Sequence, residues 1–157
     1  MCMNAAAERN VFFLDDDAER IIEFRNAKHK DIAITFATTP HLAIYRLEES
    51  ITSTPKDFVD VSMFNEIWLD HDLGVICKDN LDNPNRIITN MTDVVEINSK
   101  PVVKWIIENK RAFVYSKIII HSWNYYAANE MFLLFKDAGM ESQVEVKPFE
   151  FEPKKIQ

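Results

Sequence analysis

Short apolar runs alternate with amphipathic stretches along the chain. Continuous apolar runs, typical of strands buried on both faces, occur at residues 10–15, 32–37, 66–70, 117–122 and 144–149. Helical patterns lie between them, at residues 17–30, 41–50, from Ser99 onward and at 126–139. Strands that alternate with helices predict a parallel sheet whose right-handed crossovers cover both faces.

Residues that favour helix ends support this division. Asp17 is a candidate N-cap for the first helix and Ser99 for the third, and Gly139 is a candidate stop for the last. Residues 73–98 show no clear pattern, and "KDNLDNPNR" within them is typical of a loop. Residues 150–157 form a polar tail.

The length and composition predict one soluble domain over residues 1–157. The chain is 47% hydrophobic and 27% charged, and 157 residues suffice for one well-buried core. The apolar runs are far shorter than the roughly 20 residues of a membrane span, and the N-terminus lacks a secretory signal, so we expect a cytoplasmic protein. Cys2 and Cys77 give neither a disulfide framework nor a metal-ligand spacing.

The net charge limits the classes of ligand that we expect the protein to bind. A charge of -7 argues against binding to polymeric DNA, which requires a basic face. A small anionic ligand held by a few local groups, or a cation bound by acidic side chains, remains open.

Titratable and polar side chains gather where the predicted strands end. They are Asp15, Asp16 and Asp17 at the end of the first strand, Asp70, His71 and Asp72 at the end of the third, His121 and Ser122 at the end of the fourth, and Lys147 at the end of the fifth. Ligands of open parallel sheets bind outside the carboxyl ends of the strands. The sequence therefore predicts a binding or catalytic site at that edge of the sheet.

Four segments resemble those of a response-regulator receiver domain: "FFLDDDAER", "EIWLDHDLG", "IIIHSWN" and "VEVKPF". The combination of "LDHDLG" with "HSWNYYAANEM" is similar to the cyclic-phosphate-processing receiver-like domains, whose motifs have the forms L-D-H-D-L and H-S-x-N-P-x-G-A-x-x-M. The resemblance covers nearly the whole chain. It implies a flavodoxin-like three-layer sandwich with a five-stranded parallel sheet of order 2-1-3-4-5, and the processing of cyclic phosphates of nucleotide derivatives.

Two departures from the family pattern concern the loops. Tyr125 and Ala127 replace the family's Pro and Gly after Asn124. The stretch between Asp70 and Ser122 is longer than in a typical receiver, which predicts an insertion at about residues 73–98 that covers the site.

The resemblance assigns roles to individual residues. Asp15, Asp16 and Asp70 become acids of a metal site, and Asp72 joins them from the divergent branch. Ser122, Asn124 and Lys147 become phosphate contacts, while His71, His121 and Asp70 become the catalytic set. The implied cofactor is Mg²⁺ or another hard divalent cation, because three converging carboxylates need a compensating charge and oxygen ligands suit such ions.

Each assignment has a structural alternative. His71 and His121 suit the proton transfers that opening a cyclic phosphate with water requires, but one could be a buried structural histidine and the other a surface residue. Ser122 and Asn124 are also typical of helix caps and turns, and a lysine such as Lys147 is easily solvated.

These assignments favour a metal-assisted phosphoesterase, a hydrolase resembling cyclic phosphodiesterases, that acts on a small cyclic phosphate such as a nucleotide or ADP-ribose derivative. The expected partner is a small phosphorylated molecule, with neither DNA nor a membrane involved. Two alternatives stay open: a stand-alone receiver that is phosphorylated on Asp70, and a member that binds a nucleotide or a protein without turnover.

Overall fold

The computed structural model describes residues 9–27, 32–53, 60–77 and 94–147. Its strands in these ranges are β1 (Arg9–Leu14), β2 (Ile32–Ala37), β3 (Ile51–Ser53), β4 (Asp60–Ser62), β5 (Glu66–Leu69), β6 (Asp72–Cys77), β7 (Val94–Asn98), β8 (Lys117–Ile120) and β9 (Val144–Val146). Its α-helices there are α1 (Ala18–Ala27), α2 (Pro40–Glu49), α3 (Lys100–Glu108) and α4 (Tyr125–Asp137). Short 3₁₀ helices span Lys110–Phe113 and Glu141–Gln143.

The main sheet has five parallel strands in the order β2-β1-β5-β8-β9. These are the five strands that the apolar runs predict, so the predicted kind of fold is confirmed. The numbering differs from 2-1-3-4-5 because β3, β4, β6 and β7, which the sequence analysis did not predict, form two separate antiparallel pairs.

Helices cover both faces of the sheet, as the alternation of strands and helices predicts. On one face Phe24 of α1 packs with Phe13, Trp68 and Ile119 of the three central strands. On the other face helices α2, α3 and α4 bury a larger apolar cluster, whose members include Leu47, Val103, Ile106, Met131 and Phe135. The central strands β1, β5 and β8 are buried on both faces for this reason.

The stretch at residues 73–98, where the sequence predicts an insertion, begins with β6 and ends with β7. Strand β6 pairs with β7 in antiparallel register, with an irregularity between Asp72 and Val75. Residues 78–93, which include the predicted loop "KDNLDNPNR", lie outside the described residues, and so does the polar tail at 150–157.

The helix ends follow the sequence signals with one exception. The Oδ1 atom of Asp17 accepts hydrogen bonds from the N–H groups of Glu19 and Arg20, which confirms Asp17 as a cap. Gly139 has a φ of 80° just after α4, which confirms it as the stop. Ser99 does occupy the N-cap position of α3, but its hydroxyl donates to Sδ of Met131 instead of accepting from the helix.

None of the described helices combines the length and apolar character that a membrane crossing demands.

Candidate functional site

Backbone pairing brings four of the predicted residues to one edge of the sheet. Each strand β1, β5, β8 and β9 is followed at once by a polar residue, respectively Asp15, Asp70, His121 and Lys147. Each of these donates its backbone N–H to the last residue of a neighbouring strand: Asp15 to Ala37, Asp70 to Leu14, His121 to Leu69 and Lys147 to Ile120. The parallel register therefore aligns them along the carboxyl edge.

Three carboxylates converge at this edge. Each of Asp15, Asp16 and Asp70 presents an oxygen within 4.8 Å of the others. Asp15 and Asp70 are 0% and 2% exposed, while Asp16 is exposed. We call these three residues the acid cluster.

Backbone hydrogen bonds fix the two buried carboxylates. Oδ1 of Asp15 accepts from the N–H of Asp17 at 2.8 Å, and Oδ1 of Asp70 accepts from the N–H of His71 at 2.9 Å. Oδ2 of Asp15 is buried and accepts no hydrogen bond from the described residues. A buried carboxylate oxygen without a hydrogen bond lowers the stability of the fold unless a cation or a hydrogen-bond donor binds it.

Burial is the main cause of the raised pKa values of the two buried carboxyls in the cluster. It raises the pKa of Asp15 to about 6, against a lowering by the hydrogen bond from Asp17 and the charge of Arg20. Burial and then the charge of Asp15 raise the pKa of Asp70 to about 7. The cluster therefore holds negative charge that is only partly compensated at neutral pH.

The sequence analysis missed Arg20, which supplies this partial compensation. Its Nη2 atom lies 3.0 Å from Oδ1 of Asp15, 3.3 Å from Oδ2 of Asp70 and 3.7 Å from Oδ1 of Asp16. Its spacing of four residues from Asp16 on a helix was a usable sequence signal. Its contacts with Asp15 and Asp70 depend on how the sheet and α1 meet.

The acid cluster fits a hard divalent cation. Its donors are oxygens, two of its members are fixed by backbone N–H groups, and Oδ2 of Asp15 has an unused acceptor site. Asp15, Asp16 and Asp70 would hold such an ion, as the sequence analysis expects. Asp72 is not in this group.

Asp72 instead pairs with His71. Its Oδ1 lies 2.6 Å from Nδ1 of His71. The side chain of Asp72 is 62% exposed and that of His71 is 12% exposed. This contact favours the tautomer with the proton on Nδ1, which leaves Nε2 as a proton acceptor. The pair follows Asp70 directly in the chain, and the backbone N–H of His71 donates to Oδ1 of Asp70.

His121 lies in the core beneath the cluster. Its ring stacks on Phe13, with centroids 4.6 Å apart and planes at 15°, and also contacts Trp68. Its Nδ1 lies 3.8 Å from Oδ2 of Asp15. Burial, helped by the charge of Arg20, lowers the pKa of His121 to about 3, so the ring is neutral at physiological pH.

The remaining predicted residues start a helix or face solvent. Oγ of Ser122 accepts from the N–H of Asn124, and Oδ1 of Asn124 accepts from the N–H of Ala127 and caps α4. Lys147 is exposed, and no ion pair joins it to Asp70 among the described residues. Pro148 and Phe149, which complete its motif, lie outside those residues.

Two structural features favour glycine at position 74. Its φ is 88°, and a Cβ atom there would lie 3.2 Å from Oδ2 of Asp16. The motif "LDHDLG" therefore ends in a residue that lets β6 pass close to the acid cluster.

We expect Gly74→Ala to destabilise the protein by about 1–2 kcal/mol, the usual cost of a left-handed conformation with a Cβ, and to weaken any cation binding by moving Asp16. Urea unfolding and Mn²⁺ titration measure the two effects. Gly139→Ala is the matched control, because Gly139 has a φ of 80° but nothing within 4 Å of the added Cβ. Equal cation binding by the two variants would contradict the role given to Gly74.

Comparisons with known proteins agree with the fold. The chain is similar to the signal receiver domain of a putative LuxO repressor protein from Vibrio parahaemolyticus, at 16% identity and a TM-score of 0.52, covering 91% of this chain and 81% of that one. It is also similar to the response regulator LqsR of Legionella pneumophila, at 12% identity and a TM-score of 0.50, covering 88% of this chain but only 38% of that one. No curated protein matches the chain.

The sequence profile of one family, described as the cyclic-phosphate processing receiver domain, matches residues 10–137. This range includes the acid cluster, Arg20, the His71–Asp72 pair, His121, Ser122 and Asn124, and it ends before Lys147. The match spans most of the sequence, and the chain belongs to the family of cyclic-phosphate processing receiver domains.

Proposed function

We propose that this protein is a divalent-cation-dependent phosphoesterase that opens a small cyclic phosphate. The observation that carries the proposal is the acid cluster, with its buried Oδ2 of Asp15, followed directly after Asp70 in the chain by the His71–Asp72 pair. Family membership supports it, since the name of the family describes the processing of cyclic phosphates. A cation site alone would serve phosphoryl transfer, whereas a histidine that directly follows one of its acids in the chain favours hydrolysis.

The acid cluster and the His71–Asp72 pair have separate roles in the proposed reaction. Asp15, Asp16 and Asp70 hold the cation, which would polarise a phosphoryl oxygen and stabilise the charge that develops on the leaving oxygen. Nε2 of His71 accepts the proton of the attacking water, while Asp72 orients the ring and stabilises the imidazolium that forms. The water oxygen bonds to phosphorus as the ring P–O bond breaks, and the leaving oxygen takes up a proton from the imidazolium or from solvent to become a hydroxyl of the product.

His121 has a supporting role in this proposal. It is fully buried and its pKa is about 3, so in the metal-free protein it is poorly suited to exchange protons near neutral pH. We assign it to positioning Asp15, the oxygen of which lies 3.8 Å from its ring. Its role as a catalytic acid or base remains a prediction that His121→Asn would test.

Ser122, Asn124 and Lys147 remain the proposed phosphate contacts. Oγ of Ser122 accepts a hydrogen bond from Asn124 and keeps its own proton to donate. Lys147 follows β9 at the same edge of the sheet and is exposed. Trp123, next to Ser122, is 60% exposed and is a candidate to stack on the base of a nucleotide ligand.

The test is phosphorus NMR of nucleoside 2′,3′-cyclic phosphates and an ADP-ribose cyclic phosphate, each incubated with the protein in Mg²⁺ or in EDTA. We expect the cyclic resonance of at least one compound to convert into that of an acyclic monoester in Mg²⁺ only. Survival of every cyclic compound in Mg²⁺ would contradict the proposal, and ring opening in EDTA would contradict the role of the acid cluster.

A second candidate is a receiver that is phosphorylated on Asp70. Asp70 follows the central strand β5 and has acids on the neighbouring strand, which is the placement expected of a phosphoacceptor in this fold. Incubation with a small phosphodonor and Mg²⁺ followed by intact-mass measurement separates the two candidates. A gain of one phosphoryl group that Asp70→Asn abolishes, with all cyclic phosphates intact, would favour the receiver.

A further inference from the structure

Arg20 forms ion pairs with the same carboxylates that make up the acid cluster. One nitrogen, Nη2, lies within 3.7 Å of Asp15, Asp16 and Asp70, and Nε lies 3.6 Å from Oδ2 of Asp17. The geometry is that of a shared counter-ion, because a single guanidinium nitrogen serves three carboxylates that lie on two different strand ends and a loop.

A divalent cation and this guanidinium would compete for the same three carboxylates. Small hard cations bind oxygens at about 2.0–2.6 Å, well inside the 3.0–3.7 Å separation of Nη2 from the cluster. An ion bound by the three carboxylates would therefore lie close to Nη2, which is within 3.7 Å of one oxygen of each. The two positive charges would also repel each other, and more strongly than in water because Asp15 and Asp70 are buried.

The position of Arg20 in its helix is otherwise unfavourable. Arg20 is the third residue of α1, near the helix N-terminus, where a cation opposes the helix dipole. Four carboxylates offset this cost. The side chain is 23% exposed, so the guanidinium has a route from the cluster to solvent without unfolding of the helix.

We infer that Arg20 is an exchangeable counter-ion: it neutralises the acid cluster in the metal-free protein, is displaced when a divalent cation binds, and so sets the cation affinity of the site. This inference rests on the proposed cation site but not on catalysis. It distinguishes Arg20 from a residue that only holds the carboxylates in place, since loss of a scaffold weakens binding whereas loss of a competitor strengthens it.

The experiment measures Mn²⁺ binding by the full chain from the electron paramagnetic resonance signal of the free ion. Arg20→Met, which keeps the length of the side chain without its charge, is expected to bind Mn²⁺ about tenfold or more tightly than the wild type. Arg20→Lys keeps a competing charge and should bind far less tightly than Arg20→Met. Arg25→Met is the matched control, because Arg25 lies in the last turn of the same helix and is exposed.

Thermal unfolding gives a second measurement that does not depend on tight binding. In EDTA, Arg20→Met should melt below the wild type because the carboxylates lose their counter-ion, and saturating Mn²⁺ should raise its melting temperature by more than that of the wild type. Weaker or equal Mn²⁺ binding by folded Arg20→Met would overturn the inference while the cation site stands. Absence of Mn²⁺ binding by both proteins would overturn the cation site and the inference together.

Discussion

Asp70→Asn is expected to stabilise the cation-free protein at about pH 8, by on the order of 2–4 kcal/mol, although it removes a polar contact. Asp70 is 2% exposed and lies against Asp15, and its pKa is about 7 because burial and that neighbour disfavour its charged form. Asparagine removes the charge but can still accept from the N–H of His71. Thermal unfolding in EDTA should show a rise of roughly 5–10 °C.

The pH dependence of this effect has a defined sign. The pKa of Asp70 is raised in the folded protein from its ordinary value of 3.8 to about 7. As the pH rises through this interval, the unfolded chain releases its proton first, so the free energy of unfolding of the wild type falls. The advantage of Asp70→Asn should therefore be small near pH 4 and reach its full size above about pH 7.

Divalent cations provide the complementary measurement. If Mg²⁺ binds the folded acid cluster as proposed, it should raise the melting temperature of the wild type at pH 8 and should have little effect on Asp70→Asn. Asp137→Asn is the control, since Asp137 is an exposed carboxylate at the end of α4. A variant Asp70→Asn that melts below the wild type at pH 8 in EDTA would show that the buried charge of Asp70 is not a cost to the fold.

His71→Asn is expected to slow ring opening of a cyclic phosphate by about 10²- to 10⁴-fold, the usual contribution of a positioned general base. Asparagine can keep a hydrogen bond to Asp72 but cannot accept the proton of water. Because His71 is not in the acid cluster, the variant should bind Mn²⁺ as the wild type does. The rate is measured by phosphorus NMR at saturating Mg²⁺, on whichever compound the wild type opens.

Two further variants locate the effect. His41→Asn is the matched control, because His41 is exposed in the first turn of α2 and is not a member of the acid cluster. Asp72→Asn should give a smaller loss than His71→Asn, since it disturbs the orientation of the ring and leaves the ring in place. Retention of full activity by His71→Asn would transfer the acid–base role to another group, with His121 the next to test.

The sequence by itself determined the five strands of the main sheet, since continuous apolar runs mark strands that must be buried on both faces. It also placed the candidate site, because Asp15, Asp70, His121 and Lys147 each lie at the end of such a run. It did not predict β3, β4, β6 or β7, which are short or lie in a stretch without a hydrophobic period. The pattern of apolar positions does not mark these strands, which lie outside the main sheet.

Only the tertiary structure decided which polar residues interact. Adjacent residues Asp70, His71 and Asp72 look equivalent in the sequence, yet Asp70 lies within the acid cluster while Asp72 pairs with His71. Arg20 has an ordinary place in a helical pattern, and its contact with Asp70 spans fifty residues of sequence. Local sequence patterns specify periodicity and caps, whereas the charge balance of a buried site depends on distances that exist only after the sheet has aligned its strand ends.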